Sequence, residues 1–272
     1  MINYSEKFTL QNKVALILGG AGLIGAEISK IFSQYGAKTI ILDINKKKGK
    51  EIEKEILKTK FISKFIYFDL RSEKNLDKKF MKVIKLIECP DIFVNCSFPT
   101  TKDWHNNSFK KITKKSMDEN ILIHLNSYAW FARLIAEKMK KNKIKGSIIQ
   151  LGSIYGLLGQ DLNIYKNTTM NENMTYSIIK GGITNLTRQM ASYYGKNGIR
   201  INTLCPGGLE GHVKGGSQFQ ERSFIKNYSK KVPLGRLGLP IEVAFPALFL
   251  ASDASSYVTG TTLIVDGGWT SI

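Results

Sequence analysis

The sequence has few of the features that mark exported, metal-binding or membrane-spanning proteins. Its three cysteines, Cys89, Cys96 and Cys205, show neither the even number of a disulfide framework nor the close spacing of a metal site. No apolar run approaches the length of a membrane span, and Met1–Leu10 lacks the apolar stretch of a signal peptide. These absences predict a cytoplasmic protein without a metal or a membrane partner.

Acidic residues are also scarce. There are 22 Asp and Glu against 40 Lys and Arg, which gives a formal net charge of +18. Such a charge can mark a nucleic-acid partner, a membrane surface or an anionic substrate. The lysines are scattered over several predicted helix ends and loops, alongside abundant Ile and Asn. This pattern favours solvated helix faces, so we expect no nucleic-acid partner.

No internal repeat, low-complexity linker or break in composition divides the chain. Its 272 residues are 43% hydrophobic and 23% charged, which is the composition of a globular protein large enough to bury a substantial core. We therefore expect one domain over residues 1–272.

Short apolar runs alternate with helical patterns along the chain. The predicted strands are Lys13–Leu18, Lys38–Leu42, Phe61–Phe68, Asp91–Asn95, Ser147–Leu151, Arg200–Leu204 and Thr262–Val265. The predicted helices are Ala26–Tyr35, Lys46–Lys58, Glu73–Ile87, Ser116–Lys141, Tyr176–Tyr194 and Ile241–Ala251. This alternation predicts an α/β fold with a doubly wound parallel sheet of about seven strands and helices on both faces.

Three glycines follow the first predicted strand, and each has a physical task. Gly19 allows a tight turn, Gly22 allows the backbone to approach a pyrophosphate, and Gly25 allows the helix to pack closely. The N–H groups at the start of that helix favour negative charge. This strand, turn and helix predict a Rossmann-type dinucleotide site.

Asp43 follows Gly22 by 21 residues, at the end of the second strand. An acid at about this spacing binds the adenosine ribose in such sites. Its carboxylate would repel a 2′-phosphate, so the sequence predicts NAD as the cofactor and makes NADP less favoured. Lys46 and Lys47 are close enough in sequence to weaken this discrimination.

Tyr176 and Lys180 are four residues apart in a helical pattern, so their side chains share one face. An ammonium beside a phenol favours the phenolate, so we expect the pKa of Tyr176 to be lowered towards neutrality. Such a tyrosine can act as a general acid or base. Ser153 follows a buried strand, at the edge where these sheets bind ligands. Each residue alone could equally be structural, and the hypothesis rests on their combination.

Together these motifs resemble the short-chain dehydrogenase/reductase family, in its single-domain branch, over essentially the whole chain. Further matching segments are Asp69-Leu70, Val94-Asn95-Cys96-Ser97, Cys205-Pro206-Gly207-Gly208 and Val265-Asp266-Gly267-Gly268. The resemblance implies that Tyr176 exchanges a proton with the substrate oxygen, that Ser153 positions this oxygen, and that Lys180 holds the nicotinamide ribose. The implied cofactor-binding residues are Gly19, Gly22, Leu23, Ile24, Gly25, Asp43, Asp69, Leu70, Asn95, Cys96, Tyr176, Lys180, Pro206 and Gly207.

The long central helix departs from the family pattern. His124 stands in register with the fourth catalytic residue of the family, an Asn, whereas Asn120 and Asn126 are out of register. A lone His in a helix is more often structural, and both interpretations stay open. A relay role predicts an ionisation at about pH 6 to 7 in the pH dependence of turnover.

Two further segments are expected to border the substrate. Ser153 and Tyr176 are 23 residues apart, more than the family has, and the additional segment 159–173 is polar. We expect it to line the substrate pocket and its amides and hydroxyls to suit a sugar. Segment 209–231 stands where the family has a mobile lid. Its cations could pair with a substrate phosphate, and they are His212, Lys214, Arg222, Lys226, Lys230 and Lys231.

More narrowly, the chain resembles bacterial flagellin-modification or nonulosonate-pathway oxidoreductases. We expect an NAD-dependent oxidoreductase acting on a secondary alcohol or ketone of a sugar, sugar phosphate or nucleotide-activated sugar in surface-glycan or flagellin-glycan biosynthesis. The alternatives are a catalytically weak dinucleotide sensor and a 3-oxoacyl-type reductase. A hydrolase is disfavoured because no Gly-x-Ser-x-Gly elbow surrounds Ser153. The family implies a homodimer or homotetramer formed through its two long helices.

Overall fold

The central element of the fold is one parallel sheet. The computed structural model describes residues 4–71, 76–211 and 220–272. The strands in these ranges are β1 Val14–Leu18, β2 Lys38–Asp43, β3 Ser63–Tyr67, β4 Ile92–Asn95, β5 Ser147–Leu151, β6 Arg200–Pro206 and β7 Thr262–Val265. They are ordered β3-β2-β1-β4-β5-β6-β7, and every neighbouring pair is parallel. The predicted doubly wound α/β fold is confirmed.

The helices that connect these strands agree with most of the predicted ones. The described helices are α1 Leu23–Gln34, α2 Lys46–Lys58, α3 Leu76–Leu86, α4 Lys114–Asn120, α5 Asn126–Lys141, α6 Met174–Tyr194, α7 Arg222–Ser229 and α8 Pro240–Ala251. A π-helical turn, Ile121–Leu125, joins α4 to α5, so the predicted long helix is continuous but locally widened. Helix α7 was not predicted. None of these helices is long and apolar enough to cross a membrane.

The sheet is buried on both faces because its central strands are almost wholly apolar. Every residue of β1 and of β5 is buried. One face packs against α3, α5 and α6, where the rings of Phe80 and Phe131 stack with centroids 4.2 Å apart. The other packs against α1 and α8. Burial of each large apolar side chain contributes about 1.5–3 kcal/mol, so the two layers hold the strand ends rigidly in place.

The order of the strands reverses at β1. From there the chain builds outwards to β2 and β3 on one side and returns to β4 on the other. At such a switch point the connections leave in opposite directions and open a crevice at the carboxyl ends of the strands. The glycine turn follows β1 directly, so it lies at this crevice.

Candidate active site

A cavity of about 600 Å³ opens at the carboxyl ends of the strands. Its walls come from the chain segments that follow β1, β2, β3, β4, β5 and β6, and from helix α6. Most predicted cofactor residues line it, namely Gly19, Gly22, Leu23, Ile24, Asp43, Asp69, Leu70, Cys96, Tyr176, Lys180, Pro206 and Gly207. Four predicted residues do not line it, namely Gly25, Asn95, Ser153 and His124.

Sequence reasoning missed several residues in this wall. Arg71 lies next to the predicted Leu70, so its closeness to a strand end was an available signal. Tyr128 comes from α5 and had no local signal. The other missed residues with side chains here include Lys48, Pro99 and Thr100.

The glycine turn is shaped by contacts that exclude side chains. Gly19 has a φ of +76°, and a Cβ there would lie 2.7 Å from the backbone of Ser97. A Cβ on Gly25 would collide with the carbonyl oxygen of Gly19, so helix α1 can start this close to the turn only with glycine at position 25. Helix α1 begins at Leu23 without a side-chain cap, which leaves its first N–H groups for another acceptor. A phosphate fits such a helix start.

Asp43 is held against the glycine turn by two backbone donors. The N–H of Ala21 donates to Oδ2 at 3.0 Å, and the N–H of Asn45 donates to Oδ1 at 2.9 Å. Each carboxylate oxygen can accept more than one hydrogen bond, so Asp43 can still bind the hydroxyls of a ribose. The structural task and the predicted binding task are therefore compatible.

Asp69 forms an ion pair that sequence reasoning did not foresee. The backbone N–H of Arg71 donates to its Oδ1 at 2.9 Å, and the guanidinium donates to both carboxylate oxygens. Burial raises the pKa of Asp69, but the hydrogen bonds and charge of Arg71 outweigh it and lower the pKa below its ordinary value. Because Lys48 also lines this end of the cavity, the wall carries charges of both signs.

The structure brings Ser153, Tyr176 and Lys180 together. The side chain of Asn173 caps α6 by accepting from the N–H of Tyr176 at 2.8 Å, which fixes where the first turn of α6 starts. Ser153, which follows β5, lies close enough to Tyr176 that its side chain lowers the pKa of the phenol. Lys180 is only 3% exposed, and its Nζ donates to the carbonyl oxygen of Leu151 at 2.8 Å.

The prediction that Lys180 lowers the pKa of Tyr176 is wrong for this arrangement. Burial is the largest effect and raises the pKa of Tyr176 to about 12, although the hydrogen bond with Ser153 opposes it. Nζ of Lys180 is held at Leu151 and lies 5.7 Å from the centre of the Tyr176 ring. Burial also lowers the pKa of Lys180 to about 8. A buried site disfavours both charged forms, so the tyrosine is protonated at neutral pH.

His124 lies in the π-helical turn, a distortion that is common at functional sites. Its side chain is 0% exposed and contacts the rings of Phe98 and Tyr128, with centroids 5.2 Å and 5.3 Å away. Within the described residues neither ring nitrogen has a hydrogen-bond partner. Burial, and then the charge of Lys180, hold the pKa of His124 well below its ordinary 6.5. The predicted ionisation at pH 6 to 7 is therefore wrong, and the imidazole stays neutral.

The two asparagines near His124 serve other purposes. Asn120 is fully buried and exchanges hydrogen bonds with Thr101, donating to its Oγ1 at 2.8 Å and accepting from its N–H at 3.0 Å. Asn126 is exposed.

Aromatic rings surround Tyr176, and the sequence analysis identified neither Trp104 nor Tyr155 as a residue of the site. The ring centroids of Phe98, Trp104 and Tyr155 lie 6.0 Å, 6.3 Å and 6.5 Å from that of Tyr176. All three pairs are T-shaped, with interplanar angles of 70° to 79°. The Tyr176 ring is thus set among aromatic rings that come from two parts of the chain, the connection after β4 and the turn after β5.

No residue of segment 159–173 lines this cavity, contrary to the expectation that the segment lines the substrate pocket, but Gln160 and Asn173 contact the start of α6. The side-chain amide of Gln160 donates to the carbonyl of Asn173 at 2.8 Å and to Oγ of Ser177 at 3.0 Å. Its oxygen accepts from the hydroxyl of Tyr165 at 2.9 Å and from the N–H of Asn173 at 3.1 Å. The sequence suggested that amides of this segment would suit a sugar. Those of Gln160 and Asn173 are already hydrogen-bonded within the protein and are therefore not free to bind one.

Helix α7 docks on this segment. Nδ2 of Asn227 donates to the carbonyl oxygen of Lys166 at 2.8 Å, and Lys231 pairs with Asp161. The predicted cluster of lid cations around a substrate phosphate is not formed by Arg222, Lys226, Lys230 and Lys231, none of which lines the cavity. His212 and Lys214 lie outside the described residues. Within those residues, no group of three or more His, Cys, Asp and Glu side chains could hold a metal ion.

Comparisons with known proteins agree with this fold. A family model described as enoyl-(acyl carrier protein) reductase matches residues 20–270. The post-translational flagellin modification protein A of Campylobacter coli is 32% identical over 270 residues, covering 96% of this chain and 99% of that protein.

Two solved structures are similar along almost the entire length. A short-chain dehydrogenase from Leptospira borgpetersenii with bound NAD⁺ is 30% identical, with a TM-score of 0.79 over 99% of this chain and 96% of that one. A gluconate 5-dehydrogenase from Burkholderia cenocepacia in complex with NADP and tartrate has a TM-score of 0.85 over 99% of this chain and 100% of that one, at 24% identity, which shows the fold alone.

The matches run from the glycine turn to the last strand. They include a relative above 30% identity that this chain covers from end to end. The expectation drawn from the motifs is therefore confirmed, and this protein is an oxidoreductase that belongs to the short-chain dehydrogenase/reductase family.

Proposed function

We propose that the protein uses NAD to transfer a hydride to or from a secondary alcohol or ketone. The observation that carries this proposal is that Tyr176 and the buried Lys180, one helical turn apart on α6, line the same cavity as the glycine turn, with Ser153 beside Tyr176. A bound nicotinamide dinucleotide would supply the hydride acceptor or donor. The uncapped start of α1 suits its phosphates, and Asp43 suits its adenosine ribose.

In this proposal Tyr176 handles the proton of the substrate oxygen. Because its raised pKa keeps it protonated at neutral pH, it is ready to donate a proton in the direction of reduction. Ser153 can hydrogen-bond the same substrate oxygen and hold it near the phenol. Lys180, with a pKa of about 8, is largely cationic at neutral pH, and from its place beside Leu151 it can hold the nicotinamide ribose.

We propose a relay role for His124 in its neutral form. A neutral imidazole has one donor and one acceptor nitrogen, so it can pass a proton between two partners without holding a net charge. Its two unpartnered nitrogens and its closeness to Lys180 support this role. Replacement by Asn, which also carries a donor and an acceptor, should retain most turnover, whereas His124→Leu should lose it. Equal turnover in both variants would leave His124 a packing residue.

The proposed preference for NAD over NADP rests on Asp43. A 2′-phosphate would lie beside its carboxylate, although Lys48 and Arg71 in the same wall offer positive charge. We expect Asp43→Asn to raise the NADP-to-NAD ratio of kcat/KM by roughly tenfold or more, because it removes the repulsion. Wild-type enzyme that binds NADP more tightly than NAD would contradict this preference.

The proposed substrate is a sugar derivative, free, phosphorylated or nucleotide-activated, in surface-glycan or flagellin-glycan biosynthesis. The similarity to a flagellin modification protein supports this class. The test is a panel of sugars, sugar phosphates and sugar nucleotides, with the formation or loss of reduced nicotinamide as the measurement. A 3-oxoacyl thioester is tested alongside them as the competing substrate, because the matching family model is described as enoyl-(acyl carrier protein) reductase. Thioester activity that exceeds every sugar would overturn the assignment.

We further propose a single-domain cytoplasmic enzyme that forms a homodimer or homotetramer. Several large apolar side chains of the π-helical turn, α5 and α6 are exposed, namely Leu122, Trp130, Ile178 and Tyr193. Exposed apolar side chains on these long helices suit a subunit interface. Light scattering that shows a monomer at micromolar concentration would contradict the proposed assembly.

A further inference from the structure

Phe98 is the large apolar side chain that the cavity leaves most exposed next to the proposed catalytic residues. It lines the cavity together with Tyr176 and Lys180, yet 46% of the residue is accessible. An apolar ring in such a position is normally covered when a ligand binds. The question is which ligand surface covers it.

Phe98 is held in place through the preceding residue and through contacts of its own ring. The preceding residue, Ser97, donates its N–H and hydroxyl to Asn95 Oδ1 at 3.2 Å and 2.6 Å. The carbonyl oxygen of Ser97 accepts from the hydroxyl of Tyr128 at 2.9 Å. The Phe98 ring makes T-shaped contacts with Trp104 at 5.6 Å and with His124 at 5.2 Å. Phe98 is therefore a preformed platform and not a loose surface side chain.

The groups around this platform offer a substrate more ring surface than free hydrogen-bonding capacity. Trp104 is itself held in place, because its carbonyl oxygen accepts from Nδ2 of Asn173 at 3.1 Å. Gln160 and Asn173 bind each other, and Lys231 is occupied by Asp161. A substrate that enters beside Tyr176 thus meets aromatic carbon first.

We propose that Phe98 is a specificity-determining residue that selects substrates in ring form, by packing against the C–H face of a pyranose or a similar saturated polyhydroxylated ring. Such a ring has an apolar face for the platform and hydroxyls at its rim, one of which reaches Tyr176. An open-chain polyol lacks that continuous face. This inference deepens the proposed function and rests on it for the identity of the reacting residues.

The test compares a matched pair of probes, the cyclic hexitol myo-inositol and the open-chain hexitol sorbitol, on the NAD-loaded full-length enzyme. Binding is measured by saturation-transfer NMR titration, and kcat and KM are measured for any probe that is oxidised. Wild-type enzyme should bind the ring probe more tightly. At saturating NAD, Phe98→Leu should weaken ring binding by about tenfold while leaving binding of the open-chain probe within twofold, since only stacking area is lost.

The matched control is Phe109→Leu. Phe109 is 72% exposed but does not line the cavity, so this variant should change neither probe. Three results would overturn the inference. Phe98→Leu could weaken the binding of both probes equally, or weaken only the binding of NAD. Wild-type enzyme could also show no preference for the ring probe. Because binding is read without turnover, an enzyme that binds the ring probe through Phe98 but transfers no hydride to any substrate would contradict the proposed function and not this inference.

Discussion

Replacing His124 with Asn should change how stability depends on pH. The buried imidazole stays neutral in the folded protein because its pKa is held well below 6.5, whereas the unfolded chain takes up a proton near that value. As pH falls through 6.5 the unfolded state binds the additional proton, so the folded state loses stability on the acid side and keeps it above 6.5.

The magnitude follows from proton linkage. With an unfolded pKa of 6.5 and a folded state that remains unprotonated, lowering the pH from about 8 to about 5 costs about 2 kcal/mol through this one group. The His124→Asn variant lacks the group, so its free energy of unfolding should fall by about 2 kcal/mol less than that of wild-type enzyme over the same interval.

The assay is urea unfolding at both pH values, followed by circular dichroism, on wild type and variant. All other titrating groups are common to both proteins, so they cancel in the double difference. His105→Asn, at an exposed histidine, is the matched control for loss of an imidazole. If wild type and His124→Asn lost the same stability between the two pH values, the buried neutral histidine would be refuted.

Two further predictions concern the scaffold. Gly25→Ala should abolish binding of NAD and lower the Tm by several degrees, because the added Cβ would collide with the carbonyl of Gly19. In the control variant Gly159→Ala the added Cβ meets nothing within 4 Å, so NAD binding should be unchanged. A Gly25→Ala enzyme with normal NAD affinity would contradict the proposed turn. Gln160→Ala should lower kcat by about tenfold with an unchanged Kd for NAD, since it releases Asn173 and Ser177 beside Tyr176. A selective rise in the Kd for NAD would contradict this positioning role.

The layout of the fold could be predicted because it depends on local patterns. Ser147–Leu151 and Thr262–Val265 are strands with the predicted ends. The first is buried between β4 and β6, and the second pairs with β6 at the edge of the sheet. Both apolar runs are bounded by polar or turn-forming residues. Helix α7 escaped prediction because it is a short surface helix with one buried residue, Tyr228, and so carries a weak apolar pattern.

The sequence predicted which residues come together in the site, but it did not predict how their pKa values are shifted. The spacing of Tyr176 and Lys180 placed both side chains in the cavity, but the sign of the Tyr176 pKa shift depends on burial by distant segments. The same holds for Phe98 and Trp104, which meet only after β4 and the chain beyond it fold over α6. The sequence also could not show that the side-chain amide of Gln160 is already hydrogen-bonded, because its partners are 13 and 17 residues away.

The central claim is that Tyr176 transfers the proton that accompanies hydride transfer. It is tested most directly by single-turnover kinetics of Tyr176→Phe with the best substrate of the panel, with the absorbance of the reduced nicotinamide as the signal. Loss of the hydroxyl should reduce the rate of hydride transfer by about 10²–10⁴-fold while the Kd for NAD stays within twofold, because the ring of Tyr176 and the rest of the cofactor wall are retained. A variant that retained more than about a tenth of the wild-type rate would contradict the account.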